Sequence, residues 1–440
     1  MKPRYSRMIL RVLYDSLYLT RNMDVFDKYY HTYRIVLKII GLWPYNNSVY
    51  VWIQRLCISA LFLGNIIFQI LSLIRSEITL RNCILILSTT CPLIIILLRY
   101  ISFIIFFPMV KLLFHHICVE ENAVQDLIEI QIRMKYIGNS RHMIEILLRV
   151  TFLTITLFSI FLLYFVTMDF IMPLNEFHRH ILLYVTLFSV NRTIYFYILY
   201  LNFLFVITFG LLSLICTESI VGLYSYHTGM LFKIISYRIR KIITYLTMFN
   251  VSSKQIDSKL AELHRVVDIH NQAIGIIINN SGKQFMMPTL LIVMSMAINL
   301  HRVVNAITIK KDQLEILITL IIFANHLMIM FLCNYNGQIL INSNEEFFHE
   351  LYIPVWYFVP LKVQKILLLI MIRSSMACIF HIFGVFIPCY VGFTTVICLN
   401  KDIIILIQTN KNYFISDVEH FILIFYFDIL DNTKKYDNKE

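Results

Sequence analysis

Residues 51–74 read VWIQRLCISALFLGNIIFQILSLI, with Arg55 as the single charge. A bilayer span needs about 20 mostly apolar residues. The run is continuous rather than alternating, so it reads as a helix and not as a barrel strand. The 50 residues before it carry eight Lys and Arg. Basic residues stay on the cytoplasmic side of a first span. This places the N-terminus inside, and that choice sets the side of every later loop.

Six further runs have the same character: 83–106, 144–167, 193–216, 276–299, 314–333 and 376–399. The chain of 440 residues is 58% hydrophobic and only 15% charged, with a mean hydropathy of +0.71. Soluble domains carry roughly 25% charged residues. The expected fold is all-α: seven transmembrane helices, N-terminus cytoplasmic and C-terminus extracellular, inverted relative to a G-protein-coupled receptor. On this reading 22 basic residues lie on the N-terminal side and 11 on the other. The chain divides into a cytoplasmic segment 1–50, a seven-helix domain 51–399 and an atypical tail 400–440. No leader peptide is evident, and the first span would serve as the insertion signal.

The chemistry of an enzyme is missing. There is no HExxH, P-loop, GxSxG or GxGxxG. The nine cysteines are scattered through apolar runs with no CxxC pair, which argues against a metal site or a disulfide framework. No cofactor is expected. The net charge of +11 suits a face resting on anionic membrane lipid, so nucleic acid need not be invoked. His115 and His116 read as a solvated interfacial pair. Arg55, Arg99 and Arg149 lie near span ends, where they can snorkel to headgroups. Carboxylates are nearly absent from span centres, which disfavours an ion-coupled transporter.

Two patterns bear on function. Phe158, Phe161 and Phe165 share one helical face in the third span, and Tyr184, Phe188 and Tyr195 cluster at the fourth. Ordinary packing explains them plainly. The functional reading is an apolar pocket for a small organic ligand, with Thr89 and Tyr184 as polar handles. In the long inner loop 217–275, Ile256, Leu260, Leu263 and Val267 form an apolar stripe. It faces either the chain's own bundle or a partner subunit.

Several stretches resemble insect odorant receptors of the hymenopteran kind: YRIVLKIIGLWP at 33–44, YHTGMLF at 226–232 followed by SYR at 236–238, and VDIHN at 267–271. The longest run is YNGQ at 335–338 with Gly337 and Gln338, then Trp356, Tyr357 and Pro360, then QKILLLIMIRS at 364–374 with Arg373. The resemblance implies a plasma-membrane receptor of the olfactory sensory neuron dendrite. It implies an odorant-gated, non-selective cation channel in which this subunit joins a co-receptor in a heterotetramer. A small volatile would bind in the outer half of the bundle, and the last span would line the pore. The alternatives are a gustatory receptor of the same fold, whose Thr-Tyr…Gln-Phe signature is missing, and a G-protein-coupled receptor, whose Asp-Arg-Tyr and Asn-Pro-x-x-Tyr are missing. The pattern is lost after Phe386, where Pro388 should kink the last span and Asn400–Asp402 should end it. The first 22 residues and the segment 387–440 are read as additions of a gene model, such as translated intron sequence.

Overall fold

The computed structural model describes residues 24–75, 79–123, 126–171, 193–248, 252–307, 313–376 and 387–409. All regular structure among them is helical. The helices are α1 Asp24–Ile39, α2 Val49–Arg75, α3 Leu80–Ile105, α4 Phe107–Ala123, α5 Leu127–Ile171, α6 Thr193–Met248, α7 Ser253–Asn305, α8 Gln313–Tyr352, α9 Leu361–Ser375 and α10 Tyr390–Thr409. A 3₁₀ turn, Trp356–Phe358, precedes α9. Among the described residues, five helical stretches are long and apolar enough to cross a membrane: Val49–Arg75, Asn82–Ile105, Leu127–Ile160, Leu201–Met248 and Glu315–Tyr352.

The helices pack into two cores. The first joins α1 to the apolar halves of α2, α3, α5, α6 and α8. Helix α1 enters it through Phe26, Tyr30, Tyr33 and Leu37, one face of a 3.6-residue period, and Ile40 follows just past its end. The Tyr33 hydroxyl donates to the Cys216 carbonyl at 2.7 Å, tying α1 to α6. Gly41 then stops α1 with φ +73°. The Leu42 N–H bonds the Leu37 carbonyl at 2.8 Å and the Gly41 N–H that of Lys38 at 3.1 Å, the glycine-dependent end known as the Schellman motif.

The second core is built from the C-terminal half of α6, the N-terminal half of α7, the C-terminal half of α8, and α9. The segment expected as an inner loop, 217–275, is therefore helical continuation of α6 and α7 on either side of 249–251. The hydropathy signal ends where the apolar run ends, but the helix carries on as an amphipathic rod. The stripe at 256–267 is turned inward: Leu263 is buried, and Ile256, Leu260 and Val267 pack against the same core. The run Ile366–Ile372, too short to span, lies in α9.

Two expected snorkelling arginines are buried instead. Arg55 is 2% exposed and donates to the carbonyls of Gly41, Trp43 and Asn46 at 2.7, 3.3 and 3.3 Å. The turn after α1 leaves these carbonyls without helical partners, and a guanidinium with five N–H groups supplies them. Arg99, 2% exposed, pairs with the fully buried Glu218 of α6 at 2.6 Å. Arg149 stays exposed and bonds Glu145 at 3.0 Å. His115 and His116 are only half exposed, with the His116 ring 6.4 Å from that of His227. Burial, then the neighbouring His115, pushes His116 down to about 4.

The last expected span, 376–399, is divided. Met376 is extended at the end of α9, 377–386 lie outside the described residues, and 387–389 are not helical. Helix α10 begins after Pro388, which lacks an N–H and restricts the residue before it. The polar trio at 400–402 does not end it. Asn400 is buried, and its amide donates to the Val396 carbonyl one turn back at 2.8 Å.

Candidate functional site

A cavity of about 200 Å³ opens within the first core, between α2, α3, α5, α6, α7 and α8. Its wall is mostly aliphatic: Leu93, Ile95 and Ile96 of α3, Val206, Ile207, Leu211 and Leu214 of α6, and Ile318, Ile321, Ile322 and Ile329 of α8. Sites for drug-sized ligands run to roughly 300–1,000 Å³, so this one suits a smaller molecule. Among the described residues, no Asp, Glu, Lys or Arg lines it.

The polar groups on the wall are few and mostly engaged. Thr90 donates to the Gln69 side-chain oxygen at 2.6 Å, and Thr89 lies 3.3 Å from the same atom. Asn65 and Asn202 pair their carboxamides across α2 and α6 at 2.8 Å. On α8, Asn325 donates to the Ile321 carbonyl at 2.9 Å. His326 is held from both sides. Its Nδ1 lies 2.8 Å from the Ile322 carbonyl, and its Nε2 lies 2.8 Å from the Ser295 hydroxyl. A carbonyl can only accept, so Nδ1 carries the hydrogen and Nε2 accepts from Ser295.

The wall continues into a polar seam. The Ser88 hydroxyl accepts from Arg302 at 2.8 Å and its carbonyl from Asn299 at 3.2 Å. Arg302 lies 3.7 Å from Glu315. The Arg99–Glu218 pair sits one helical turn beyond Ile95 on α3 and Leu214 on α6, at the far end of the cavity. Close approach of α3 and α6 there is set by Gly210, where a Cβ would stand 2.9 Å from Ile96 Cδ1.

Of the residues expected from the sequence, Thr89 and Phe158 line this cavity. Phe161, Phe165 and Tyr195 lie in α5 and α6, but their side chains are outside the described set. Tyr184 and Phe188 fall outside the described residues. Gln69, Asn65, Asn325 and His326 were not anticipated. A uniform signal pointed to them: polar side chains set within apolar spans, which are costly in lipid and therefore informative.

The second group of expected residues lies where α8 receives α10. Gly337 meets the chain at Pro388 so closely that a Cβ would collide with the Pro388 carbonyl oxygen. On either side of it, Asn334 accepts from the Cys389 N–H at 3.0 Å and Gln338 from the Tyr390 N–H at 3.1 Å. The first N–H groups of a helix have no partner within it, and here α8 supplies them. Trp356 packs against the second core, while Tyr357 is exposed. Pro360 is the N-cap of α9 and Arg373 lies in its last turn, favourable at that end of the helix dipole. The face of α9 opposite its core contacts exposes Leu361, Leu368, Leu369 and Ile372.

A family model described as 7tm Odorant receptor matches residues 121–398, more than half of the chain, and so includes 387–398, the start of the segment read from the sequence as an addition. The chain belongs to the 7tm odorant receptor family. Its fold is that of an insect olfactory receptor, OR5 of Machilis hrabei. The eugenol complex of that receptor superposes with a TM-score of 0.67 at 11% identity, covering 90% of this chain and 99% of the other. A second structure of the same receptor gives 0.64 at 13% identity, covering 89% and 99%. No match emerges from the curated protein sequences. The odorant receptor family consists of receptors and ion channels rather than enzymes. The chain is thus a multi-pass membrane receptor of olfaction.

Proposed function

We propose that this receptor is the odorant-binding subunit of a ligand-gated, non-selective cation channel. It assembles with a co-receptor subunit in a heterotetramer, in the plasma membrane of the olfactory sensory neuron dendrite. The observation that carries this reading is the uncharged aliphatic cavity beside helices α7 and α8, both of which touch α10. A small volatile gains its affinity there by leaving water, about 25 cal/mol per Å² of apolar surface. To gate the channel it must favour the open arrangement over the closed one. Helix α10 is the pore-lining element of this reading, and an apolar constriction closes such a pore by dewetting. The exposed leucine face of α9, with Tyr357 and Phe358, is the surface that meets the partner subunit. An eugenol complex in a receptor of the same fold agrees with a small-molecule cavity.

In this arrangement the N-terminus and the second core are cytoplasmic, the first six spans are those read from the sequence, and α10 takes the place of the seventh. Of the expected pocket residues, Thr89 and Phe158 contact the ligand. Gly337, Gln338, Trp356, Tyr357, Pro360 and Arg373 serve assembly and the seating of the pore helix. The test is co-expression with the co-receptor and a screen of volatiles for evoked cation current. Currents that require both subunits are expected. Surface-expressed receptor silent to every volatile would overturn the reading. An N-terminal tag reached by antibody only after permeabilisation is expected; access in intact cells would reverse the topology.

A further inference from the structure

The cavity's polar geometry goes further and names a ligand class; this step rests on the cavity being the odorant site. Three carboxamides stand on the wall: Asn65 and Asn325 each donate to a carbonyl of their own helix, those of Leu61 at 2.8 Å and Ile321 at 2.9 Å, whereas Gln69 is held through its oxygen. The Thr90 hydroxyl has a single hydrogen and two acceptors within reach, the Gln69 oxygen at 2.6 Å and the Ile86 carbonyl at 2.8 Å. The carbonyl is already served by the helical N–H one turn on, and the shorter contact takes the hydrogen. The Gln69 oxygen is thereby occupied, with Thr89 also 3.3 Å from it. The Gln69 amide nitrogen donates to none of the described residues, so its two N–H groups remain to be used on a wall that is mostly aliphatic.

We infer that Gln69 is the specificity determinant for an uncharged, largely aliphatic ligand carrying one carbonyl-type acceptor, a ketone or ester. An acceptor oxygen satisfies the Gln69 donors and brings no hydrogen of its own. An alcohol brings an extra donor that must also be satisfied, since an unpaired polar hydrogen in an apolar wall is costly. Carboxylates and amines are disfavoured because no described lining residue carries a formal charge to compensate theirs. Thr90 is a positioning residue: it is buried and acts through the orientation it gives Gln69.

The experiment uses the full-length chain in nanodiscs and direct binding of octanone, octanol, nonane, octanoate and octylamine by displacement of an environment-sensitive fluorophore. Octanone should bind about fivefold more tightly than nonane, the worth of one net hydrogen bond, with octanol between them and the two ions weakest. Gln69→Leu should bring octanone to within about twofold of nonane. Gln69→Met provides the same loss of donor should the leucine variant not fold. Thr90→Val should shrink the octanone preference, and Thr90→Ser should restore it. The inference is overturned if the wild-type chain binds none of these compounds or binds octanone no better than nonane. It also fails if the preference survives both Gln69 variants, or if an ion binds best. Binding with this ranking but without odorant-evoked current would instead count against the channel reading and leave the ligand class standing.

Discussion

Arg99 and Glu218 are 119 positions apart and fully enclosed, with the charges 2.6 Å from one another. Taking two charges out of water costs several kcal/mol per ion, and only a close partner offsets it. Removing one of them should therefore be worse than removing both. Arg99→Met or Glu218→Leu alone should cost about 3–5 kcal/mol, and the double variant should recover most of that. The readout is the unfolding temperature of detergent-purified receptor; equal and additive losses in the two singles would contradict it. The pair also marks a limit of sequence reading. Arg99 was visible as a charge near a span end, where snorkelling is the ordinary fate. Its partner lay in what looked like the start of a loop, and no local pattern pairs residues on α3 and α6. Gln69 and His326 were equally visible as polar intrusions, but their roles depend on which neighbour takes each hydrogen.

The seat of α10 on α8 depends on a residue with no side chain flanked by two carboxamides. Gly337→Ala cannot be accommodated by moving a flexible tip, because the atom it meets is backbone. Asn334→Leu leaves the Cys389 N–H unpaired, a loss of about 1–3 kcal/mol. Both substitutions should speed hydrogen exchange of the amides of Cys389 to Phe393 while leaving the α3 amides protected. Unchanged exchange at 389–393 would show that α10 is held by something else. The existence of the helices was legible from apolar runs, since a run of about 20 in lipid has little alternative. Their ends were not. α6 extends 56 residues and α7 extends 53, because amphipathic extension below the apolar stretch carries no hydropathy signal. The start of α10 followed from Pro388, whereas Asn400 misled, being polar in composition but buried and bonded in place.

The molecule as a whole has two cores with different sensitivities. The first is apolar apart from its seams. The second holds His270, buried against Phe232 and Phe347 with ring centroids 5.8 and 5.2 Å away. Burial, and then the charge of Arg373, push His270 down to about 4. The unfolded chain takes up a proton near the ordinary histidine value of about 6.5, which the native core refuses until about 4. Stability of the second core is thus whole above pH 7 and declines as pH falls through this window. Exchange of the α8 amides 340–351 should accelerate between pH 6.5 and 4 after correction for intrinsic rates, and His270→Gln should flatten the slope. A slope that persists in that variant would assign it to other groups.

Helix α6 runs without a break from the wall of the cavity into the second core. An unbroken helix transmits rotation because it has no joint in which to lose it. At 1.5 Å per residue, Met248 stands roughly 45 Å from Glu218, so a tilt of about 5° there would carry it about 4 Å. Were α6 to pivot at the buried ion pair, a disturbance of side-chain size at the cavity would become a displacement of several ångströms in the second core, a gain that comes from length alone.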